Sequence, residues 1–304
     1  MMEDKIIIVG TGFAGSVLAR KFAEAGRKVS IIEKRSHIAG NMFDYDDENG
    51  IRIQKYGPHT FHTNIDRVQA FITQYCSLDE YKLKCQAVID GIATPSPFNF
   101  KTIDQFYDEV SGDKLKKRLA EYFNKDSATV LEMLNCEDTD IKAYAEFLFA
   151  KDYSLYTAKQ WGKDPDEIDP SVLKRVPVIF NYRDTYFADK YEGMPKNGFT
   201  EVFRQLLNHP NITVKLETDA MDHITVDEEN RRILFDGEEV PVIFTGAIDE
   251  LFGFKFGKLP YRSLYFEYKY YDKKDYQEVA IVAHPAAKEY TRITEYTKLP
   301  DMAA

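Results

Sequence analysis

Ile6-Ile7-Ile8-Val9 runs straight into Gly10-Thr11-Gly12-Phe13-Ala14-Gly15, and no other feature of the chain restricts its folding so tightly. A short, uninterrupted apolar run bounded by a turn is the pattern of a strand buried on both faces. After it, Phe13, Val17, Leu18 and Phe22 recur at helical spacing, and Gly26 closes that helix. Val29-Ser30-Ile31-Ile32 reads as a second strand, with Glu33 at its end, 18 residues past Gly15. Strand, glycine turn, helix, strand and acid in this register form the fingerprint of a dinucleotide-binding βαβ unit. Gly10 permits the tight turn, Gly12 lets a pyrophosphate approach the backbone, and Gly15 lets helix and strand pack closely. The free N–H groups and positive dipole end of the helix face the phosphates. Glu33 is placed to accept hydrogen bonds from the ribose hydroxyls. A bound dinucleotide is expected, and the fingerprint alone does not choose between FAD and NAD.

With 304 residues the chain can bury a large core and is expected to divide into two or three lobes. A net charge of −10 opposes general nucleic-acid binding and a polybasic membrane contact. An anionic substrate would therefore need basic side chains gathered locally. Cys76, Cys85 and Cys136 are odd in number and match no metal-ligand spacing, so they read as reduced thiols of a cytoplasmic protein. The apolar run ends at Val9, which argues against a signal peptide, and no stretch has the length of a membrane span. Twenty Tyr and 21 Phe are an unusual load. Most belong in a core, but tyrosine also suits a wall against a sugar or nucleobase.

Pattern changes divide the chain. Residues 1–97 together with 196–258 read as the Rossmann-like lobe, discontinuous in sequence. Pro95-Ser96-Pro97 marks a break. Ile103, Phe106, Tyr107, Leu115, Leu119, Tyr122, Phe123, Tyr144, Phe147 and Leu148 then recur at three and four, giving a small helical lobe over 98–165. Residues 166–195 and 259–304 read as an antiparallel sheet. Gly198 to Leu207 is expected as a helix, with strands at Ile212–Leu216, Arg232–Phe235, Val240–Thr245, Leu264–Tyr270 and Val279–Ala283. Asp236-Gly237 suits a hairpin turn. The expected class is α/β: a Rossmann-like lobe interleaved with a helical lobe and an antiparallel β-sheet.

His59 and His62 stand three apart, but no third ligand accompanies them and Pro58 favours a turn, so no metal is expected. Arg175 and Arg292 are the cations of interest, because a guanidinium grips two phosphate oxygens and keeps its charge. Tyr156 and Trp161, with Thr157 between them, surround a helix end, where plain packing of the helical lobe would also explain them.

Several separated segments then agree: Ala39-Gly40-Asn41, Tyr56-Gly57-Pro58-His59-Thr60-Phe61-His62-Thr63, Pro97-Phe98-Asn99, Tyr156-Thr157-Ala158-Lys159-Gln160-Trp161-Gly162, Lys174-Arg175-Val176-Pro177-Val178, Tyr186-Phe187, Leu259-Pro260-Tyr261-Arg262 and Tyr290-Thr291-Arg292-Ile293-Thr294-Glu295. In this order they resemble the bacterial UDP-galactopyranose mutases across essentially the whole chain. The resemblance implies FAD as the cofactor, required in reduced form, with NAD(P)H or another reductant supplying the electrons. It implies a mutase (isomerase) that interconverts UDP-galactopyranose and UDP-galactofuranose through a flavin N5–sugar adduct, for galactofuranose-containing surface glycans. The implied FAD-binding residues are Gly10, Gly12, Phe13, Ala14, Gly15, Glu33, Lys34, Gly40, Asn41, His59, Thr60 and Phe61, with His62 against the flavin. Arg175 and Arg292 would hold the substrate diphosphate, Tyr156 and Thr157 would line the UDP pocket, Tyr186 would reach the phosphates, and Trp161 would sit on a loop closing over substrate. The helical lobe becomes a substrate lid, and a homodimer is compatible with the resemblance.

The chain departs from that pattern in three places. Ala39 stands where a glycine is usual, Tyr296 where a histidine often follows, and Asp152-Tyr153-Ser154-Leu155 where paired aromatics and a glycine precede the tyrosine. Family members also continue into a Gly-Arg-rich segment that returns to the FAD, and nothing like it follows Thr294. Two other classes share parts of the pattern: an FAD-dependent oxidoreductase of the amine-oxidase type, and an inactive flavin- or nucleotide-sugar-binding paralogue.

Overall fold

A computed structural model of the chain describes residues 5–162, 167 and 176–300. Arg175 lies outside the described residues. Contacts divide the chain into two compact units, one of Met1–Glu80, Tyr191–Glu267 and Pro300–Ala304, the other of Tyr81–Lys190 and Tyr268–Leu299.

The first unit is built on a four-stranded parallel sheet. Its strands, in spatial order, are Ile212–Lys215, Lys28–Ile32, Lys5–Val9 and Val242–Phe244. The pairing runs from Lys5 opposite Lys28 to Val9 opposite Ile32, and from Ile7 opposite Val242 to Val9 opposite Phe244. Both faces are covered, which explains the unbroken apolar run. Ile6, Ile8, Val29 and Ile31 pack on Ala19 and Ala23 of the Phe13–Glu24 helix and on Leu207. Ile7 and Ile32 point the other way, onto Ala220, Phe235 and Val240. Each such isoleucine, at 5% exposure or less, contributes roughly 1.5–3 kcal/mol through burial. The Gly198–Leu207 helix falls on the expected residues, with Val202, Phe203 and Leu206 buried. Asp236 and Gly237 both take positive φ, 52° and 80°, the geometry of a tight hairpin turn, and Phe235 pairs with Glu238 across it. A small antiparallel sheet joins Phe61–Thr63, Tyr191–Pro195 and Leu78–Glu80.

The second unit combines helices with a four-stranded sheet. The helices Phe100–Phe106, Glu109–Phe123, Val130–Leu134, Thr139–Leu148 and Ser154–Trp161 realise the expected helical periodicity. Side-chain caps fix their starts: Asn99 and Thr129 form reciprocal capping boxes, and Asp138 accepts from the N–H groups of Asp140 and Ile141. Between the last two helices, Phe149–Tyr153 is a single π-helical stretch, a distortion found mostly near functional sites. The sheet order is Arg292–Thr294, Ile281–Ala283, Cys85–Ile89, Ile92–Ser96. It is mixed, since Ile281–Ala283 runs parallel to Cys85–Ile89 while the outer pairings are antiparallel. Ala87 and Ala283, which pair directly, face the helical core of Leu119, Met133, Ile141, Tyr144 and Leu148.

One expected element does not form. Leu264–Tyr270 alternates like a strand but joins no ladder, and Leu264, Tyr265, Tyr268 and Tyr270 are exposed. β-Propensity expresses packing against neighbouring strands, and this segment has none among the described residues.

Candidate functional site

In the first unit the glycine turn opens a cleft of about 390 Å³, within the range of small-molecule sites. Gly10, Gly12, Phe13, Ala14, Glu33, Lys34, Gly40 and Asn41, all expected from the sequence, line it. Gly10 takes φ +97°, open to glycine and strained for other residues. Gly15 lies under the turn, where a Cβ would come within 2.0 Å of the Gly10 carbonyl oxygen. Gly12 differs: a Cβ there would meet nothing within 4 Å, because the space above it is the cleft. Gly12 also starts the Phe13–Glu24 helix with no side-chain cap and no acid in the first turn. Its leading N–H groups are therefore left for an anion in the cleft.

Glu33 is buried at the end of its strand. One carboxylate oxygen accepts from the Thr11 N–H (2.9 Å) and hydroxyl (2.6 Å), the other from the Arg35 N–H (3.0 Å). These bonds leave lone pairs for a ribose while fixing the carboxylate's aim. Lys34 reaches Glu250 at 3.6 Å across the cleft lining. Arg35, which sequence reasoning missed, also lines the cleft. Its guanidinium lies over the Tyr56 ring at 4.5 Å and donates to Asn41 Oδ1 at 3.0 Å, while its buried Nη1 has no hydrogen-bond partner. A buried, unsatisfied guanidinium nitrogen is costly unless a ligand oxygen reaches it. Open space over Gly12, an uncapped helix start, an oriented Glu33 and this Nη1 together fit the adenosine diphosphate half of a dinucleotide such as FAD. Further lining residues outside the expected set, among them Asp219, Met221, Thr245 and Gly246, follow later strands.

His59, Thr60, Phe61 and His62 are in the same unit but not in the lining of that cleft. The Gln54 amide exchanges bonds with the His59 backbone, accepting from its N–H and donating to its carbonyl. Phe61 packs toward Ile72 and Leu206, and His62 is exposed and pairs with Glu192 across the small sheet. Among the described residues no group of three or more His, Cys, Asp or Glu is arranged to hold a metal, and no helix is long and apolar enough to cross a membrane.

The second unit assembles another group. Arg292 is paired with Ala283, so its side chain lies on the sheet face that carries Ala87 and Cys85 and is turned to the helices. There it hydrogen-bonds the side chain of Tyr156, on the Ser154–Trp161 helix. Burial raises the phenol of Tyr156, and Arg292 pulls it back down. Burial also pushes the Cys85 thiol up to about 12 despite Arg292, so it stays protonated and unreactive. Lys159 holds this arrangement together. Its ammonium donates to the carbonyls of His284 (2.7 Å), Ala287 (2.6 Å) and Tyr290 (2.9 Å) in the loop that leads to Arg292. The desolvation lowers its pKa. Thr157 is buried, whereas Trp161 is 40% exposed at the helix end, where Gly162 adopts the left-handed C-cap conformation. Tyr186 donates its backbone N–H to Leu83 (2.7 Å) and stands within electrostatic reach of Tyr153, whose hydroxyl donates to the Val176 carbonyl at 2.9 Å. The structure thus brings Tyr156 and Arg292 together, with Tyr186 near Tyr153, while Thr157 is buried next to Tyr156 in the chain. Lys159 was missed because its bonds reach a loop remote in sequence.

Known proteins agree with this architecture. The sequence model of the UDP-galactopyranose mutases matches residues 151–303, and that of an NAD(P)-binding Rossmann-like domain matches residues 8–75. The chain is 38% identical to a dTDP-fucopyranose mutase of Escherichia coli over 96% of its own length and 76% of that protein's. It is 34% identical to a probable UDP-galactopyranose mutase of Klebsiella pneumoniae, over 97% and 74%. A crystal structure of reduced UDP-galactopyranose mutase superposes with a TM-score of 0.64 at 18% identity, over 97% of this chain and 70% of that one, and shares the fold. By matched extent and identity alike, the chain belongs to the UDP-galactopyranose mutase family.

Proposed function

We propose that this protein is an FAD-dependent mutase that interconverts the pyranose and furanose forms of a nucleotide-diphosphate sugar, with UDP-galactose as the substrate to test first. FAD is the cofactor of the family, and the uncapped, open turn at Gly12 supports its seat in the first unit. Reduced FAD, when bound, supplies the nucleophilic centre. The protein's own residues bind, orient and exclude water. The Tyr156–Arg292 pair carries the substrate reading, because it is a fixed cation beside an aromatic wall in a chain of net charge −10. Arg292 grips the diphosphate in the substrate and again after the glycosidic bond breaks, so the departed nucleotide stays in place to be recaptured. Arg175 joins it as the second phosphate cation. Tyr156 and Thr157 line the nucleotide pocket, Tyr186 reaches the phosphates, and Trp161 covers the substrate. His59, Thr60, Phe61 and His62 approach the flavin end of the cofactor. The enzyme works in the cytoplasm as a homodimer, with NAD(P)H or another reductant keeping the flavin reduced.

The test is anaerobic turnover by dithionite-reduced, FAD-loaded protein, following UDP-galactofuranose to UDP-galactopyranose by chromatography. A parallel assay with dTDP-fucofuranose covers the activity carried in the name of the 38% identical relative. Neither conversion, from protein that binds FAD, would refute the proposal.

A further inference from the structure

Arg35 lines the glycine-turn cleft, and its Nη1 is buried without a hydrogen-bond partner. A long side chain left in that state turns to another partner unless something else holds it. Two contacts do so. Nη2 donates to Asn41 Oδ1 at 3.0 Å, and the guanidinium carbon lies over the Tyr56 ring, 4.5 Å from its centre. The first fixes one edge of the group, and the second gives it an aromatic surface to rest on.

That ring is fixed in turn. His37 Nδ1 lies 2.8 Å from the Ile38 carbonyl oxygen, which can only accept, so Nδ1 carries a proton. Burial, chiefly, lowers the His37 pKa, so the imidazole is neutral near pH 7 and its Nε2 is a bare acceptor. The Tyr56 hydroxyl, 2.8 Å from Nε2, therefore donates to it. The imidazole is itself clamped, stacked on Phe43 at 3.9 Å between ring centres with 18° between the planes. The Ile38 carbonyl, His37, Tyr56 and Arg35 thus form one chain of contacts, each member set by the one before. Of these residues only Arg35 lines the cleft. A chain that ends on an unsatisfied buried donor gains nothing at that end, and a ligand oxygen is its natural terminus. We propose that His37 and Tyr56 are positioning residues of the cofactor site. They hold Arg35 so that Nη1 donates to an oxygen of the adenosine diphosphate half of FAD. This assignment rests on the dinucleotide reading of the cleft and adds to it two residues, outside the lining, that set the grip on the cofactor.

Equilibrium dialysis of FAD-stripped protein against FAD tests it. Tyr56→Leu removes the ring and should raise the Kd for FAD about 10-fold, as far as Arg35→Met does. Tyr56→Phe and His37→Phe each delete the same phenol–imidazole bond. Each should raise the Kd about threefold, with no further loss when the two are combined. The decisive comparison is made in the Arg35→Met background. There Tyr56→Leu should change the Kd less than about twofold, because the ring has no guanidinium left to place. Should Tyr56→Leu fold poorly, as judged by its melting curve, the two phenylalanine variants carry the same comparison. The assignment is overturned if Tyr56→Leu binds FAD like the wild type. It is equally overturned if that variant weakens FAD by the same factor with and without Arg35, for then the ring only packs. Wild-type protein that binds no FAD refutes the dinucleotide reading, and this assignment with it.

Discussion

Gly12 and Gly15 stand three residues apart in one turn, yet a methyl group at each should do opposite things. At Gly15 an added Cβ would lie 2.0 Å from the Gly10 carbonyl oxygen, 3.1 Å from its carbonyl carbon and 3.3 Å from Ile8 Cγ2. The first distance is a full ångström inside the 3.0 Å that Cβ contacts respect, and the obstacle is backbone that cannot rotate away. Relief requires helix and strand to separate, at a cost of about 3 kcal/mol or more. For a unit of this size that lowers Tm by roughly 6–12 °C. At Gly12 the same methyl meets nothing within 4 Å, and φ −67° with ψ −178° is ordinary backbone for any residue. Gly12→Ala should therefore leave the stability of the apoprotein within about 1 kcal/mol of the parent. The methyl instead enters the path of the cofactor pyrophosphate, weakening FAD on the order of 100-fold. Urea melts of FAD-stripped protein, with the flavin absorbance of protein reconstituted at limiting FAD, separate the two effects. Gly12→Ala should be stable and colourless, Gly15→Ala destabilised whatever its colour. A Gly12→Ala protein as yellow as the parent would show that the cofactor does not cross this turn. A Gly15→Ala protein that melts like the parent would show that the close approach is not rigid.

Arg292→Ala should lose roughly 1.5–3 kcal/mol of UDP affinity, one to two decades in Kd, with FAD retained. Lysine there should restore part of it, because a point charge lacks the two-pronged grip; an unchanged Kd on titration would remove Arg292 from the phosphate site. Arg35→Met should weaken FAD about 10-fold at equilibrium without touching UDP binding, and unaltered FAD affinity would mean Nη1 meets no cofactor oxygen. Asp152→Asn should stabilise the apoprotein in a pH-dependent way. The folded carboxyl sits at about 7 and the unfolded one near 3.8, so the folded state alone keeps its proton between these values and wild-type stability falls as pH rises through that window. The advantage of the asparagine variant should be absent below pH 4, grow toward pH 7 and level off above it, at most on the order of 3–4 kcal/mol. The neighbouring phenols of Tyr153 and Tyr156 are both raised and do not titrate there. Urea midpoints of the two proteins that stay parallel from pH 4.5 to 8 would refute the shift.

Much of the fold was legible wherever local chemistry and burial point the same way. Ile6 to Val9 reads as a doubly buried strand because helices cover one face and a hairpin the other, so every residue needs an apolar side chain. Asp236-Gly237 is legible because positive φ at two successive positions suits few residue pairs. Leu264–Tyr270 fails for the complementary reason: alternation marks a strand only when neighbours exist to pair with it, and pairing is not written in the segment itself. The mixed character of the second sheet was equally out of reach, since it turns on Ile281–Ala283 lying parallel to residues almost two hundred positions earlier.

The same distinction separates the two candidate sites, one in each unit. One continuous segment makes most of the glycine-turn cleft, so the spacing of Gly10, Gly12, Gly15 and Glu33 states much of its geometry. The Tyr156–Arg292 pair joins residues 136 positions apart, and each alone is an unremarkable side chain. What holds them together is Lys159, which gathers three carbonyls of the hairpin loop two residues before Arg292. Within the helix Tyr156 therefore faces the site while Lys159, one turn on, ties the helix to the strand that supplies the cation.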